Sequence, residues 1–337
     1  MKSVFKSILV LASLALIALV SACNSAKNSG VDEVKVNPQF AKYVSAYSGG
    51  RVSVNSGIQV QLAKAYEGTI DYNKPISKEI FSIDPGVEGD AFWVNSTTIE
   101  FVPKEKLEAG KNYKASLDLD KLVKDLPEDY KKFEFNFNTV PTDLRLFVDG
   151  VRHYSFENPK DLYVEGRLLA NDIIDTNLIQ KSLSATQNGN SLNVLWSHKG
   201  LIHTFKVQNV SRGEIKSEVM LEYSGEAIGV GKNQNKKVKI AALGEFEITD
   251  IQVKNGKEQM VEVHFSDLLD LGQDLNGMAT IGYGNTKSSI EDNILTLYPK
   301  SRVTGTSYVK LDQGIKNYAG FKLNKTERIE IEFEDIA

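Results

Sequence analysis

Apolar and polar residues alternate along four separate stretches of the chain, and this pattern restricts the fold more than any other feature. Successive side chains of a β-strand point to opposite faces, so alternation predicts strands with one face in a core and the other in water. Helical patterns are few. Residues 120–132 fit a short helical turn, and residues 172–184 fit one amphipathic helix or a long crossing segment. We therefore predict an all-β protein built of sandwiches. The alternating stretches are residues 58–62, 133–137, 261–265 and 329–333.

Turn signals and an internal repeat support this prediction. Asn188-Gly189 and Asn255-Gly256 are typical of hairpin turns, because both residue types tolerate the positive φ that such turns need. The repeat consists of a strand that ends at proline, a loop, a turn glycine and a second strand with tyrosine near its start. It predicts two related modules, one at each end of the folded chain. The first copy contains Pro103, Gly110 and Tyr113, and the second contains Pro299, Gly305 and Tyr308.

The amino terminus has the order of an export signal. Lys2 and Lys6 precede an apolar run at residues 8–20, which is shorter than the roughly 20 residues that span a bilayer. Small residues ending at Ala22 precede Cys23, the single cysteine. This arrangement resembles the bacterial lipobox, in which cleavage between Ala22 and Cys23 makes the cysteine the first mature residue and lipids are attached to it. The alternative is an ordinary secretory peptide, and both interpretations place the mature chain outside the cytoplasm.

These features divide the chain into five predicted parts. Because the repeat is absent from the middle of the chain, that region is expected to be a separate β-rich domain, with a hinge at Val140-Pro141. With Cys23 lipidated, no disulfide can form, and packing alone must stabilise each domain. The predicted parts are a lipoprotein signal peptide at 1–22, a lipidated tether at 23–38, an Ig-like β-sandwich at 39–139, the middle domain at 140–245 and a second Ig-like β-sandwich at 246–337.

The sequence offers little support for catalysis or cofactor binding. It lacks a Gly-x-Ser-x-Gly elbow, a His-Glu-x-x-His helix and a phosphate-binding loop, so we predict no enzyme, no catalytic residue and no cofactor. The net charge of −4 and the lack of a prominent basic patch exclude nucleic acid as an expected partner. The partner that the sequence does predict is a membrane, bound through the lipid on Cys23.

The histidines do not suggest a metal site. His198 and His203 flank Lys199-Gly200, and a hairpin closed there would place His203 opposite Trp196 rather than opposite His198. Two ligands also need a third on the same face, and none is evident. His264 lies in an alternating strand on the face opposite Val263 and Phe265, so it is expected to be exposed.

An acidic segment near residue 270 raises the question of calcium. Asp267, Asp270 and Asp274 lie close together, and hard cations take oxygen ligands from such segments. The spacing does not match an EF-hand loop, which needs carboxylates at alternate positions and a closing glutamate. We therefore expect a solvated loop between strands and no metal ion.

Several segments together are similar to the amino-terminal region of bacterial alpha-2-macroglobulins, envelope lipoproteins that trap proteases. The resemblance implies a macroglobulin-like middle domain and a non-enzymatic role as part of a protease trap, an endopeptidase inhibitor, with proteases or envelope proteins as partners. The chain departs from the family because no cysteine follows Cys23, which excludes a Cys–Gln thioester, and because no segment fits a bait region. The matching segments are residues 50–60, 81–93, 98–113, 195–198, 203–205, 207–212 and 263–270.

The resemblance leaves two functions open. The first is the amino-terminal part of a longer macroglobulin-type trap, with the second repeat ending where another domain would begin. The alternative is a free-standing surface lipoprotein whose Ig-like sandwiches bind a glycan or a protein. For both we expect a membrane-anchored position in the cell envelope, facing the periplasm or the cell surface. Asn24 after Cys23 favours the outer membrane under the enteric sorting rule.

Overall fold

A computed structural model describes residues 34–76, 79–284 and 286–334, so Ala22, Cys23 and the signal peptide lie outside the described residues. Strands dominate this part of the chain, which confirms the all-β prediction. The chain divides into two compact units, and the boundary falls between Pro141 and Thr142. In the described ranges, no helix has both the length and the apolar character that a bilayer crossing requires.

The first unit is a sandwich of two four-stranded sheets. One sheet has the order β1-β3-β6-β5 and the other β2-β8-β7-β4, with β2 parallel to β8 and the remaining pairs antiparallel. Short 3-10 turns at Pro38–Lys42, Leu119–Lys121 and Glu128–Tyr130 connect or precede the strands, and the last two lie where a helical turn was predicted. The strands are β1 (Val44–Tyr47), β2 (Gly50–Val52), β3 (Ile58–Leu62), β4 (Phe81–Asp84), β5 (Gly89–Trp93), β6 (Thr98–Pro103), β7 (Asn112–Asp118) and β8 (Lys132–Thr139).

Alternation explains the core of this unit. In β3 every second residue is buried, and in β8 the three phenylalanines Phe133, Phe135 and Phe137 are at most 2% exposed. Full burial of one such side chain stabilises the fold by about 1.5–3 kcal/mol. Tyr113 stacks on Phe137 with ring centroids 5.1 Å apart, so the repeat's tyrosine belongs to the core here.

The second unit begins with a sandwich of two four-stranded antiparallel sheets, ordered β13-β14-β10-β9 and β12-β11-β15-β16. The helix predicted within residues 172–184 is one short helix, α1 (Thr176–Lys181), with Asp175 as its N-cap. Asn188 and Gly189 both have positive φ and connect β11 to β12 as predicted. The strands are β9 (Leu144–His153), β10 (Asp161–Ala170), β11 (Leu183–Gln187), β12 (Asn190–Ser191), β13 (Val194–Lys199), β14 (Ile202–Ser211), β15 (Ser217–Ser224) and β16 (Asn233–Ile240).

A further sandwich completes the second unit, with sheets ordered β17-β18-β21-β20 and β19-β22-β23. Its strand order repeats that of the first unit, except that none of its described strands corresponds to the parallel β2. The internal repeat is therefore a repeat of topology. The strands are β17 (Ile248–Asn255), β18 (Gln259–Phe265), β19 (Ala279–Ile281), β20 (Thr286–Glu291), β21 (Ile294–Pro299), β22 (Gly305–Leu311) and β23 (Glu327–Phe333).

Three hydrophobic clusters hold these sandwiches together. Their buried members lie within residues 44–137, 144–240 and 246–333. The first unit contains one cluster and the second unit contains two. The predicted domain limits at 139/140 and 245/246 fall between clusters, and as domain limits they stay predictions.

Candidate functional site

The most buried charge in the second unit is the guanidinium of Arg212, which follows β14. Its side chain is 1% exposed and lies between the middle and last sandwiches. It donates hydrogen bonds to the carbonyl oxygens of Ala242, Glu245 and Ser266 at 2.8–3.2 Å, and Nη1 lies 2.6 Å from Asp267 Oδ1. We call this group of contacts the Arg212 clamp. It connects the end of the middle sandwich to the loop after β18.

Burial of a guanidinium is tolerated only when the charge is paired and its donors are satisfied, and the clamp meets both conditions. Asp267 is itself buried, so the prediction that it lies in a solvated loop is wrong. The local pattern could not predict this burial, because Arg212, which pairs with Asp267, is 55 residues away in sequence. Asp270 instead pairs with Lys316 at 2.8 Å, and Asp274 accepts the N–H of Asn276.

The three aspartates therefore have separate partners. Among the described residues, no group of three or more His, Cys, Asp or Glu side chains could hold a metal ion.

Side chains of the last sandwich also donate hydrogen bonds to backbone carbonyl oxygens of β9, an edge strand of the middle sandwich. Gln252 Nε2 donates to the oxygen of Val148 at 3.1 Å, and Asn293 Nδ2 donates to that of Val151 at 3.0 Å. In the other direction, His153 Nε2 lies 3.1 Å from the oxygen of Ser266. The clamp and these bonds together hold the two sandwiches in one arrangement.

His264 of β18 lies against Gly150 of β9 and is 1% exposed. The prediction of an exposed histidine is wrong, because the middle sandwich covers the face that the alternation pattern assigns to water. A Cβ on Gly150 would lie 2.6 Å from His264 Nδ1, so this contact requires glycine, which also has a φ of +142°. Burial lowers the pKa of His264, and the nearby Asp250 and Glu262 oppose that shift only partly. Within the described ranges neither ring nitrogen has a hydrogen-bond partner, and Nε2 lies 3.7 Å from Glu262 Oε2.

A cleft of about 480 Å³ opens beside His264, and we call it the junction cleft. Both sandwiches line it, with residues 146–148, 150 and 151 of β9 and 236–239 of β16 on one side and residues 249, 250 and 252 of β17 with His264 on the other. Lys237 pairs with Glu218 at 3.1 Å. Lys236 and Lys239 have no such partner within the part of the chain that the structure describes.

Sequence reasoning missed Arg212 and the junction cleft. The only local signal was the concentration of lysine at residues 236–239, and lysine is also typical of an edge strand protected against aggregation. The cleft depends on the meeting of two sandwiches, which no local pattern encodes.

His198 and His203 face each other directly, so the predicted pairing of His203 with Trp196 is wrong. The turn lies one residue later than expected, at Gly200-Leu201, and Gly200 supplies the positive φ typical of the first position of a type II′ turn. A shift of one residue changes every cross-strand partner. The two Nδ1 atoms are 3.0 Å apart, and His198 Nε2 lies 3.1 Å from Gln180 Nε2.

Acid is expected to destabilise the second unit through His153, His203 and His264. Burial lowers the pKa of all three below the ordinary 6.5, so below pH 6.5 the unfolded chain binds more protons than the folded chain. Their contribution is fully present above pH 6.5. It decreases as the pH falls from there toward the lowered pKa values, by at most about 1.4 kcal/mol per pH unit for each histidine. Urea unfolding between about pH 8 and about pH 5 measures this, and His264→Gln should flatten the profile. A free energy of unfolding that stays constant or rises as the pH falls through this range would contradict the prediction.

Comparisons with known proteins give only weak similarity. No protein-family model and no curated protein matches the chain. Domains 4–9 of the surface layer protein SbsC align over 88% of this chain and 48% of that chain, with 12% identity and a TM-score of 0.33. The Bacteroides ovatus mixed-linkage glucan utilization locus protein SGBP-B, in complex with a mixed-linkage heptasaccharide, aligns over 90% of this chain and 69% of that chain, with 14% identity and a TM-score of 0.24. The chain thus spans about half the length of the SbsC fragment, and similarities of this size establish no shared function.

Proposed function

We propose that this protein is a non-enzymatic, lipid-anchored envelope protein that binds a ligand in the junction cleft. The observation that carries the proposal is the cleft itself, whose walls belong to two sandwiches held together by the Arg212 clamp. A preformed cleft loses little conformational freedom when a ligand binds, and concave sites with a few convergent polar groups are the usual binding sites of proteins.

The lining of the cleft indicates the ligand's chemistry. Lys236 and Lys239 form no ion pair among the described residues, and their charges favour an anionic group on the ligand. The one carboxylate of the lining, that of Asp250, accepts a hydrogen bond from Gln252 at 2.9 Å. Thr249 and Gln252 add neutral polar groups, and Val148 contributes apolar surface. We therefore expect a polar ligand with at least one negative charge.

Loss of the two cleft lysines is expected to weaken ligand binding about tenfold or more, because each lysine contributes a charge-assisted contact. The test is isothermal titration calorimetry of the Lys236→Gln/Lys239→Gln variant against a panel of anionic and neutral saccharides and small acids. The matched control is Lys199→Gln/Lys322→Gln, which removes the same charge from exposed positions of the same unit outside the cleft. Equal binding by the cleft variant and the control would refute the assignment of the site.

The rigid platform of a macroglobulin-type protease trap is the second candidate function. The clamp favours it, because a platform must keep consecutive sandwiches in one arrangement, and the resembling segments in β13 and β14 belong to the clamped unit. In this role the bait region and any thioester belong to residues beyond position 337. The coding sequence downstream of codon 337 distinguishes the candidates, since continuation into further β-modules and a Cys-x-x-Gln segment favours the trap.

A further inference from the structure

A second concave site lies on the outer face of the three-stranded sheet of the last sandwich. It has a volume of about 460 Å³, and we call it the tyrosine pocket. Its volume lies within the range of small-molecule sites. No residue that lines the junction cleft also lines the tyrosine pocket. The side chains that line the tyrosine pocket belong to Thr280, Tyr283, Tyr308, Lys310, Thr326 and Arg328.

Two tyrosine rings form one corner of this pocket. Tyr283, in the turn after β19, is 94% exposed and so contributes nothing to the core. Its ring centroid lies 5.5 Å from that of Tyr308, and the two planes are 85° apart. The neighbouring Tyr308 hydroxyl and Arg328 guanidinium lower the pKa of Tyr283. The corner therefore offers apolar ring surface next to polar and cationic groups.

The orientation of Tyr308 differs from that of its counterpart in the first unit. Tyr113 precedes the buried Leu117 by four positions and faces the core, where its hydroxyl accepts the N–H of Glu108. Tyr308 precedes the buried Leu311 by three positions, and a change of one residue in a strand turns a side chain to the opposite face. The tyrosine that packs in the core of one sandwich is thus presented to solvent in the other.

Two cations of the tyrosine pocket lie next to each other, an arrangement that is unfavourable when no anion is bound. Lys310 of β22 and Arg328 of β23 are directly opposite each other in the register, and like charges in that position destabilise a sheet. Neither forms an ion pair with a carboxylate in the described ranges. Arg328 instead lies over the ring of Tyr308, with Cζ 3.6 Å from its centroid. A bound anion would relieve this repulsion.

We propose that the tyrosine pocket binds an acidic saccharide, a sugar ring with an anionic substituent. The C–H face of the sugar ring packs on the aromatic ring of Tyr283, and the anionic substituent accepts hydrogen bonds from Arg328 and Lys310. The planar guanidinium matches a carboxylate or sulfate with two parallel hydrogen bonds. Aromatic rings supply large apolar contact with few rotatable bonds. This site lies beyond the proposed function of the junction cleft and does not depend on it.

The test is calorimetric titration of the full mature chain with oligogalacturonate, its methyl ester and a sulfated galactan oligomer of equal length. The acid is expected to bind at least tenfold more tightly than the neutral ester, with an affinity that falls as salt rises. Arg328→Gln and Lys310→Gln should each weaken binding of the acid about tenfold, whereas Tyr283→Ala should weaken binding of both forms. Arg302→Gln, at an exposed arginine of the same sandwich outside the pocket, is the matched control and should change nothing.

The outcomes separate the possibilities. Sulfated oligomers that bind as the acid does, with the same dependence on Arg328, support a pocket for acidic saccharides of either anion. Equal binding of acid and ester overturns the proposal, as does binding of the acid that Arg328→Gln leaves intact. The proposal also fails if none of the three oligomers binds. Because Tyr283 and Arg328 are exposed, their substitution leaves the core untouched.

Discussion

Arg212→Met is expected to lower the free energy of unfolding of the second unit by about 3–5 kcal/mol, the usual effect of removing one partner of a buried ion pair. The substitution leaves the Asp267 carboxylate buried without its cation. It also removes the donor from the carbonyl oxygens of Ala241, Ala242 and Glu245. Methionine fills much of the space but offers no hydrogen bond, so the loss is chiefly electrostatic.

Urea unfolding followed by tryptophan fluorescence measures this effect separately in each unit. The chain has two tryptophans, Trp93 in the first unit and Trp196 in the second. The Trp93→Phe background therefore reports on the second unit alone. Arg302→Met, at an exposed arginine, is the matched control.

Double substitution distinguishes the role of the pair from that of the arginine alone. Arg212→Met/Asp267→Leu should recover part of the lost stability, because no charge is then left buried without a partner. A loss below about 1 kcal/mol in the single variant would show that the contacts of Arg212 do not stabilise the junction.

The alternation of apolar residues predicts the strands well because it reports a local property, the two faces of one strand. The buried residues of β3 and β8 occupy the positions that the pattern assigns to the core. It fails for His264, whose second face is covered by a sandwich that is distant in sequence. A strand that is covered on both faces has the same alternating sequence as a strand at the surface when the side chains on its second face are polar, as His264 is.

The sequence pattern also fails to predict the register of paired strands and the pairing of distant side chains. The positions of His203 and Tyr308 both depend on a single residue, in a turn for the first and within a strand for the second. Composition does not encode such a shift, yet it decides which side chains meet. The partners of Arg212 come from segments before and after the junction, so the clamp follows from the tertiary structure and not from any motif.

Cys23→Ser is expected to transfer the protein from the membrane fraction to the soluble fraction. A serine hydroxyl does not accept the lipid that a cysteine thiol does, and anchoring scales with the buried acyl chains, at about 0.8 kcal/mol for each CH₂ group. The measurement is fractionation of cells with detection of the protein in each fraction, with Ser25→Ala as the control that keeps the cysteine. The mass of the amino-terminal peptide shows whether the signal was cleaved, so that an uncleaved signal is not mistaken for lipid. If the cleaved variant still sediments with membranes, the sandwiches themselves bind the membrane, and if the unsubstituted protein is already soluble, the segment before Cys23 is an ordinary secretory signal.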